Sequence, residues 1–162
     1  MNRRFLGWLG LSTVVIVLDQ LSKLAVLRHL RFGEGVPFTE FFQLVLVYNP
    51  GAAFSFLANQ PGWQKWFFTG LALAVSAWLT VLMRRHAREW LQPAAFAFIV
   101  GGALGNVIDR VRFGAVVDFL YFHLGEHGFP AFNLADSAIT LGVILMLIAQ
   151  WQESRHAGKE PK

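Results

Sequence analysis

The feature that most constrains the fold of this chain is a series of long stretches without charged side chains. Residues 5–18, 66–83 and 91–108 carry none, and the first stretch continues apolar to residue 27 around the interruption DQLSK. A helix needs about 20 mostly apolar residues to cross a bilayer, and a hydrophobic content of 55% exceeds that of an ordinary soluble domain. The sequence therefore predicts a mainly α-helical membrane protein with four transmembrane helices, at roughly residues 5–27, 66–83, 91–108 and 134–151.

The distribution of Lys and Arg indicates how these spans are oriented. The N-terminal residues, the segment RRHAR and the C-terminal tail carry more Lys and Arg than the two connections on the opposite side, and such an excess is typical of cytoplasmic segments. We therefore expect both termini in the cytoplasm and a first span that is not cleaved, since it lacks a small-residue cleavage site. The net charge of +4 fits this topology and contact with anionic lipid. The sequence has no basic cluster interleaved with aromatic residues, the pattern that would suggest a nucleic-acid partner.

The two outward connections are expected to differ in role. The first, residues 32–64, contains FTEFFQLVLVYNPGAAFSFL, which predicts a strand at 41–48, a turn and a second apolar stretch at 52–57. This segment is too short to build its own core, so we expect a small β-platform on the membrane surface with aromatic side chains among the headgroups. The second, residues 112–133, carries Asp118 and leads to Asp136. Residues 1–162 are expected to form a single domain.

Polar residues within and beside the spans collect at one depth. Asp19 lies roughly 22 Å from Arg4 along a helix that rises about 1.5 Å per residue, and Lys23 at i+4 can pair with it. The third span ends, and the fourth begins, with further polar residues at the same level. A charge at the centre of a bilayer costs about 3 kcal/mol and less toward the interface, so this clustering predicts a functional site at the outer boundary. The clustered residues are Asp19, Lys23, Asn106, Asp109, Arg110, Asp118, Asn133 and Asp136.

Several of these residues also have structural explanations that the sequence leaves open. Asp19 with Lys23 is either an ion pair that clamps helices or a support for the site. Asp109 fits an ordinary helix ending, and Asn133 fits an N-cap with the Asp136 carboxylate at N3. Asp118 in VVDFLYF has neither a cap role nor a local cation.

Two acids that share a site can hydrolyse a peptide bond without a metal. Repulsion between the carboxyl groups and partial desolvation raise one pKa, so that the pair shares a single proton. The ionised acid then takes a proton from the attacking water, and the protonated acid stabilises the oxyanion and protonates the leaving amine. Asp118 and Asp136 are the predicted catalytic pair.

A metal site is the alternative suggested by HLGEH at residues 123–127, which matches the H-x-x-E-H pattern of a zinc peptidase family. That pattern requires a helix, whereas Gly125 lies inside it and Gly-Phe-Pro follows. Ser55 lacks the G-x-S-x-G context of an activated serine, and the chain has no cysteine. We therefore expect neither a metal nor another cofactor.

Four blocks in the order DQLSK, YNPGAAFSF, GGALGNVIDRVRFGAVVDF and FNLADSAI resemble the lipoprotein signal peptidase family, signal peptidase II, of bacterial intramembrane aspartic peptidases. The resemblance implies four spans with a small outward β-platform, a membrane-surface segment, and Asp118 with Asp136 as the catalytic pair. It also implies a set of substrate-binding or supporting residues: Asn49, Gly51, Asn106, Asp109, Arg110, Asn133, Ala135, Asp19 and Lys23.

The resemblance further implies an enzyme of the bacterial cytoplasmic membrane whose site faces outward. Its substrates would be prolipoproteins that carry a diacylglyceryl group on the lipobox cysteine, cleaved just before that residue, and cyclic peptide antibiotics would inhibit it. A monomer is expected. The alternative from another class is a non-catalytic carrier or assembly factor that uses the buried polar cluster. A carrier should have polar residues through the inner half of its spans, and residues 67–83 and 142–149 offer almost none.

Overall fold

Helices account for most of the residues that the computed structural model describes, which are 2–51, 62–125 and 127–157. Within these ranges the helices are α1 (Arg3–His29), α2 (Gln64–Arg85), α3 (Leu91–Phe113) and α4 (Leu134–Ala157). All four are long and apolar enough to cross a membrane. The predicted mainly helical class with four spanning helices is confirmed.

Helix α3 lies at the centre of the bundle, in contact with the other three helices. About 61% of its membrane-length window is buried, compared with 22–28% for the others. Small residues permit this close packing: Gly101 and Gly105 lie against α1, at Val15 and Asp19 respectively, and Gly102 lies against the Ala135 carbonyl of α4. The GxxxG segment is therefore a packing notch for α1.

Helix α3 continues beyond Asp109. It runs to Phe113 and stops where Gly114 adopts a left-handed conformation with φ of 77°. Asp109 is buried and pairs with Lys23 at 2.7 Å. The interpretation of Asp109 as part of an ordinary helix ending is therefore wrong.

A small antiparallel sheet covers the end of the bundle where the polar residues collect. Its strands are β1 (Gly35–Pro37), β2 (Phe42–Asn49), β3 (Val116–Leu124) and β4 (His127–Gly128), in that spatial order. The predicted strand at 41–48 is confirmed as β2, while the predicted apolar stretch at 52–57 lies outside the described residues. The principal partner of β2 is β3, in a register that places Val47 opposite Asp118.

The sheet is held to the helices by a buried apolar cluster. Val26 near the end of α1 packs with Leu46 of β2 and with Val117 and Phe119 of β3. These side chains fix β3 against α1, so the residue between Val117 and Phe119 is held at the junction of sheet and helices. That residue is Asp118.

We expect Gly102→Ala to destabilise the protein, because the added methyl group would overlap the Ala135 carbonyl oxygen and crowd Ile139. Overpacking of this kind costs about 1–3 kcal/mol. Thermal unfolding in detergent micelles measures the change.

Gly70→Ala in α2 is the matched control, since no atom lies within 4 Å of the position of its new methyl group. This variant should be neutral or slightly stabilised, by up to about 1 kcal/mol from helix propensity. Equal melting temperatures for the two variants would show that α3 and α4 are not closely packed at Gly102.

Candidate active site

Asp118 is a buried carboxyl on β3, with 2% of its surface exposed. Its Oδ1 accepts a hydrogen bond of 2.7 Å from Asn133 Nδ2, and the side chain of Asn49 provides another. Burial, with the neighbouring Asp136 carboxyl, raises the pKa of Asp118 from 3.8 to about 7, although both asparagine hydrogen bonds oppose the shift. Asp118 is therefore able to hold a proton near neutral pH.

Asp136 lies in the first turn of α4, where Asn133 is the N-cap. Asn133 Oδ1 accepts from the Asp136 amide at 2.9 Å, and Asp136 Oδ2 accepts from the Asn133 amide at 3.3 Å. This reciprocal pair is a capping box with Asp at N3. The N-cap interpretation of Asn133 is confirmed, and the Nδ2 atom of the same side chain reaches Asp118. One asparagine thus connects both acids.

Asn106 of α3 contacts the other oxygen of Asp136. Its Nδ2 donates to Asp136 Oδ1 at 2.8 Å, while its Oδ1 accepts from Lys23 Nζ at 3.0 Å and from Asn133 Nδ2 at 3.3 Å. An ammonium group has only donors, so Lys23 requires the amide oxygen on its own side. The amide group of Asn106 is consequently held with its N–H toward Asp136.

Lys23 is the centre of a buried charge cluster, defined here as the Lys23 cluster of Lys23, Asp19, Asp109 and Asn106. Its ammonium lies 2.9 Å from Asp19 Oδ2 and 2.7 Å from Asp109 Oδ2, and 2% of the side chain is exposed. With the Asn106 bond, all three ammonium donors have acceptors. The i+4 pairing with Asp19 is confirmed, and Asp109 is a second partner that spacing along the sequence could not reveal.

The two carboxylates of this cluster also bind backbone amides of the elements that carry the acids. Asp19 Oδ1 accepts from the Ala135 amide at 2.9 Å, in the first turn of α4. Asp109 Oδ2 accepts from the Val117 amide at 3.1 Å, next to Asp118 on β3. The cluster therefore fixes the backbone beside both predicted catalytic residues.

Sequence reasoning did not select two residues that complete this arrangement. Gln20 Nε2 donates to Asp109 Oδ1 at 2.9 Å and to Asp19 Oδ2 at 3.1 Å. Gly105 leaves room for Asp19, because a β-carbon there would lie 2.6 Å from Asp19 Oδ2. Gln20 could have been selected because it belongs to DQLSK, the polar interruption of the first apolar stretch. Gly105 could not, because nothing in the local sequence distinguishes its contact with Asp19 from ordinary helix packing.

Arg110 and the turn after β2 form the remaining part of the site. The Gly51 amide donates to Asn49 Oδ1 at 3.0 Å, which closes a tight turn, and the Gly51 carbonyl accepts from an Arg110 Nη atom at 3.2 Å. The guanidinium lies 5.6 Å from the centre of the Phe68 ring. Among the described residues, Arg110 Nε is buried without a hydrogen-bond partner.

A cavity of about 900 Å³, named here the helix cavity, opens between α2, α3, α4 and residues 129–132. Both predicted catalytic acids line it, at a polar end that also includes Asn49, Asn106 and Arg110. The rest of its wall is mainly apolar. The apolar lining comprises Phe68, Leu71, Ala72, Val75, Ala103, Val116, Phe129, Pro130, Ala131, Phe132, Ile139, Leu141 and Ile144.

The described residues of HLGEH do not form the helix that a zinc site of that pattern needs. His123 lies on β3 and His127 on β4, with Gly125 at φ of 58° between them. Across the described residues, no group of three potential metal ligands comes together.

Comparison with known proteins decides the family. The sequence model described as signal peptidase (SPase) II matches residues 11–152. The chain belongs to the signal peptidase II family. As a lipoprotein signal peptidase it is a multi-pass membrane protein and an aspartic peptidase that removes signal peptides from prolipoproteins, so the predicted enzyme class is confirmed.

Relatives of this signal peptidase II chain match nearly its whole length. The lipoprotein signal peptidase of Azoarcus sp. (strain BH72) is 62% identical over 151 residues, which cover 93% of this chain and 86% of the relative. That of Ralstonia nicotianae is 53% identical over 148 residues, covering 91% and 86%. A solved structure described as a bacterial membrane enzyme superposes with a TM-score of 0.84 at 29% identity and covers 96% of this chain and 93% of its own.

We expect Lys23→Met to destabilise the protein by about 3–5 kcal/mol, because it leaves Asp19 and Asp109 buried without their cation. Lys65→Met is the control, since Lys65 lies over the Trp66 ring at 5.2 Å and belongs to no described salt bridge; its loss should cost about 0.5–1 kcal/mol. Unfolding in detergent micelles compares them. Similar losses for both variants would show that the Lys23 cluster does not stabilise the fold.

We expect Asp118→Asn to become increasingly stable relative to the parent as pH rises. Asp118 ionises near 3.8 in the unfolded chain and has a pKa of about 7 when folded, so its contribution to the free energy of unfolding falls between about pH 4 and pH 7. Asn does not titrate and avoids this loss. Melting temperatures at pH 5 and pH 8 test the trend, and a variant whose relative stability declines with pH would contradict the raised pKa.

Proposed function

We propose that Asp118 and Asp136 are the catalytic pair of this signal peptidase and that its substrates carry a diacylglyceryl group on the cysteine after the cleaved bond. The observation that carries the proposal is that both carboxyl groups line one cavity and bind the same asparagine, Asn133. A peptide carbonyl and a water molecule at the polar end of this cavity would meet both acids.

The surroundings of the two acids favour different roles. Each acid accepts two hydrogen bonds, but Asp136 lies at the N-terminus of a helix, where the helix dipole stabilises negative charge. Asp118 lies on a strand, and its burial raises its pKa. We assign Asp136 as the ionised base that takes a proton from water, and Asp118 as the acid that stabilises the oxyanion and protonates the leaving amine.

Arg110 and Asn49 are the proposed substrate-binding residues. The Arg110 guanidinium is held between the Gly51 carbonyl and the Phe68 ring, and its Nε is buried and unpaired among the described residues. Arg110 also lines the helix cavity, so its guanidinium would donate a hydrogen bond to a substrate carbonyl bound there. Asn49, at the end of strand β2, would help to align the substrate. The Lys23 cluster, Asn133 and Ala135 would position the acids.

The apolar helix cavity supports a substrate that approaches from the bilayer. Its walls include Val75 of α2 and Ile144 of α4, in the two helices that pack on either side of α3. An apolar signal peptide and the acyl chains of a diacylglyceryl group could occupy this space without leaving a hydrocarbon environment. Cyclic peptide antibiotics that resemble a blocked substrate would bind at the same position.

The proposed orientation has both termini in the cytoplasm and the site at the outer face of the bacterial cytoplasmic membrane. The excess of Lys and Arg at the termini and in the connection after α2 supports it. The sheet would then lie at the outer membrane surface. The exposed large apolar residues of the sheet and its connections, which suit that layer, include Phe32, Val36, Phe38, Phe41, Phe122 and Leu124.

The test of this function uses purified protein with one diacylglyceryl-modified precursor and its unlipidated twin, with product masses as the readout. We expect cleavage just before the cysteine of the lipidated form alone, unaffected by strong chelators. Asp118→Asn and Asp136→Asn should each lower turnover by at least about 10²–10⁴-fold, the usual contribution of general acid–base catalysis.

The control variant is Glu89→Gln, which removes an exposed carboxylate paired with His86 after α2 and should retain full activity. Near-normal turnover in either Asp variant would show that the pair is wrongly assigned. Inhibition by chelators with rescue by zinc would instead favour a metal mechanism. Equal cleavage of both precursors would refute the requirement for lipid.

A further inference from the structure

A second cavity meets the helix cavity at Asp118. This sheet cavity has a volume of about 390 Å³ and is formed mainly by β2, β3 and the segment around residue 130. Asn49, Asp118, Pro130 and Ala131 line both cavities. The remaining residues of its lining are Gln43, Val45, Val47, Tyr48, Pro50 and Tyr121.

The two acids differ in their relation to these cavities. Asp118 lines both of them, whereas the described lining of the sheet cavity does not include Asp136. A peptide that extends from one cavity into the other would therefore pass Asp118 at the junction. Asp136 would reach such a peptide from the side of the helix cavity.

The chemical character of the walls also differs. The helix cavity is bounded by apolar side chains of membrane-length helices, such as Leu71 and Ile144. The sheet cavity has a mixed wall, in which the polar side chains of Gln43 and Tyr121, register partners on the neighbouring strands β2 and β3, lie beside the apolar Val47. The first cavity suits an apolar helix or an acyl chain, and the second, which is smaller and bounded by strands, suits an extended peptide.

A prolipoprotein has two unlike parts on either side of the cleaved bond: an apolar signal peptide before it and a polar mature chain after it. We propose that the sheet cavity binds the first residues of the mature lipoprotein, directly after the modified cysteine, as the product-side subsite. Gln43, Val47 and Tyr121 are its specificity-determining residues. This inference rests on the proposed function and adds the direction in which the substrate lies.

The direction agrees with the proton transfers that hydrolysis needs. The water oxygen bonds to the peptide carbonyl carbon, and a water proton passes to Asp136. The carbon–nitrogen bond then breaks, its electron pair remains on nitrogen, and that nitrogen takes the proton of Asp118. The new amine belongs to the mature chain, so the acid that protonates it must border the sheet cavity. Asp118 does border this cavity. Proton return from Asp136 to Asp118 restores the pair.

Polar recognition in this subsite should favour substrates that extend beyond the cysteine. Two diacylglyceryl peptides with the same signal sequence test this: one ends as an amide at the cysteine, and the other continues for four small or polar residues. We expect the parent enzyme to cleave the longer peptide with a kcat/KM about tenfold higher, the effect of roughly one net hydrogen bond. Equal kcat/KM values would overturn the inference.

A substitution in the sheet cavity tests whether the preference for the longer peptide arises there. Val47 is the register partner of Asp118 and is partly exposed to the sheet cavity, so Val47→Trp should fill the space and bring the ratio of the two kcat/KM values toward one. Val36→Trp, on the neighbouring strand β1 and outside the described cavity lining, is the matched control and should keep the parent ratio.

An unchanged ratio in Val47→Trp, or an equal loss of the ratio in Val36→Trp, would show that the sheet cavity does not bind the mature chain. Failure of the parent enzyme to cleave either lipidated peptide would refute the proposed function itself, and the subsite with it. Cleavage of both peptides at equal rates refutes the subsite alone.

Discussion

The active site depends on one buried cation. Lys23 places three N–H donors on Asp19, Asp109 and Asn106, and these acceptors in turn hold the first turn of α4 and strand β3. Asp19 binds the first turn of α4, Asp109 binds β3 beside Asp118, and Asn106 binds the carboxyl of Asp136. A charge buried without partners would cost several kcal/mol, so the cluster tolerates little movement. The alignment of strand and helix at the site follows from satisfying this one ammonium group.

The same cation also affects the electrostatic surroundings of Asp118, one of the proposed catalytic pair. Lys23 attracts the Asp118 carboxylate and so opposes the rise in its pKa, whereas burial and the neighbouring Asp136 carboxyl raise that pKa. Nearby negative charge favours the protonated form of an acid. This arrangement supports a pair that retains a single proton at neutral pH instead of two ionised carboxylates, and it does so without a metal ion in the proposed mechanism.

The elements that sequence could predict are those with local signals. Long charge-free stretches identified the helices, and Asp118 was conspicuous because its apolar neighbours gave it no structural role. The pairing of β2 with β3 and the contact between Lys23 and Asp109 join residues far apart in the chain, so they depend on tertiary register that no local pattern encodes. For Asn133, the sequence leaves capping and support of the site as alternative roles. The structure combines them, because the oxygen caps α4 and the nitrogen contacts Asp118.

Because the Asn133 side chain contacts both α4 and β3, its position depends on the assembly of these two elements. The bond between its side chain and Asp118 has its observed geometry only after α4 has started at its proper residue and β3 has docked beside it. On the proposed mechanism, a newly inserted chain with unassembled helices would hold its two acids apart and could not yet hydrolyse a peptide bond. Docking of β3 beside α4 would therefore have to precede the first cleavage.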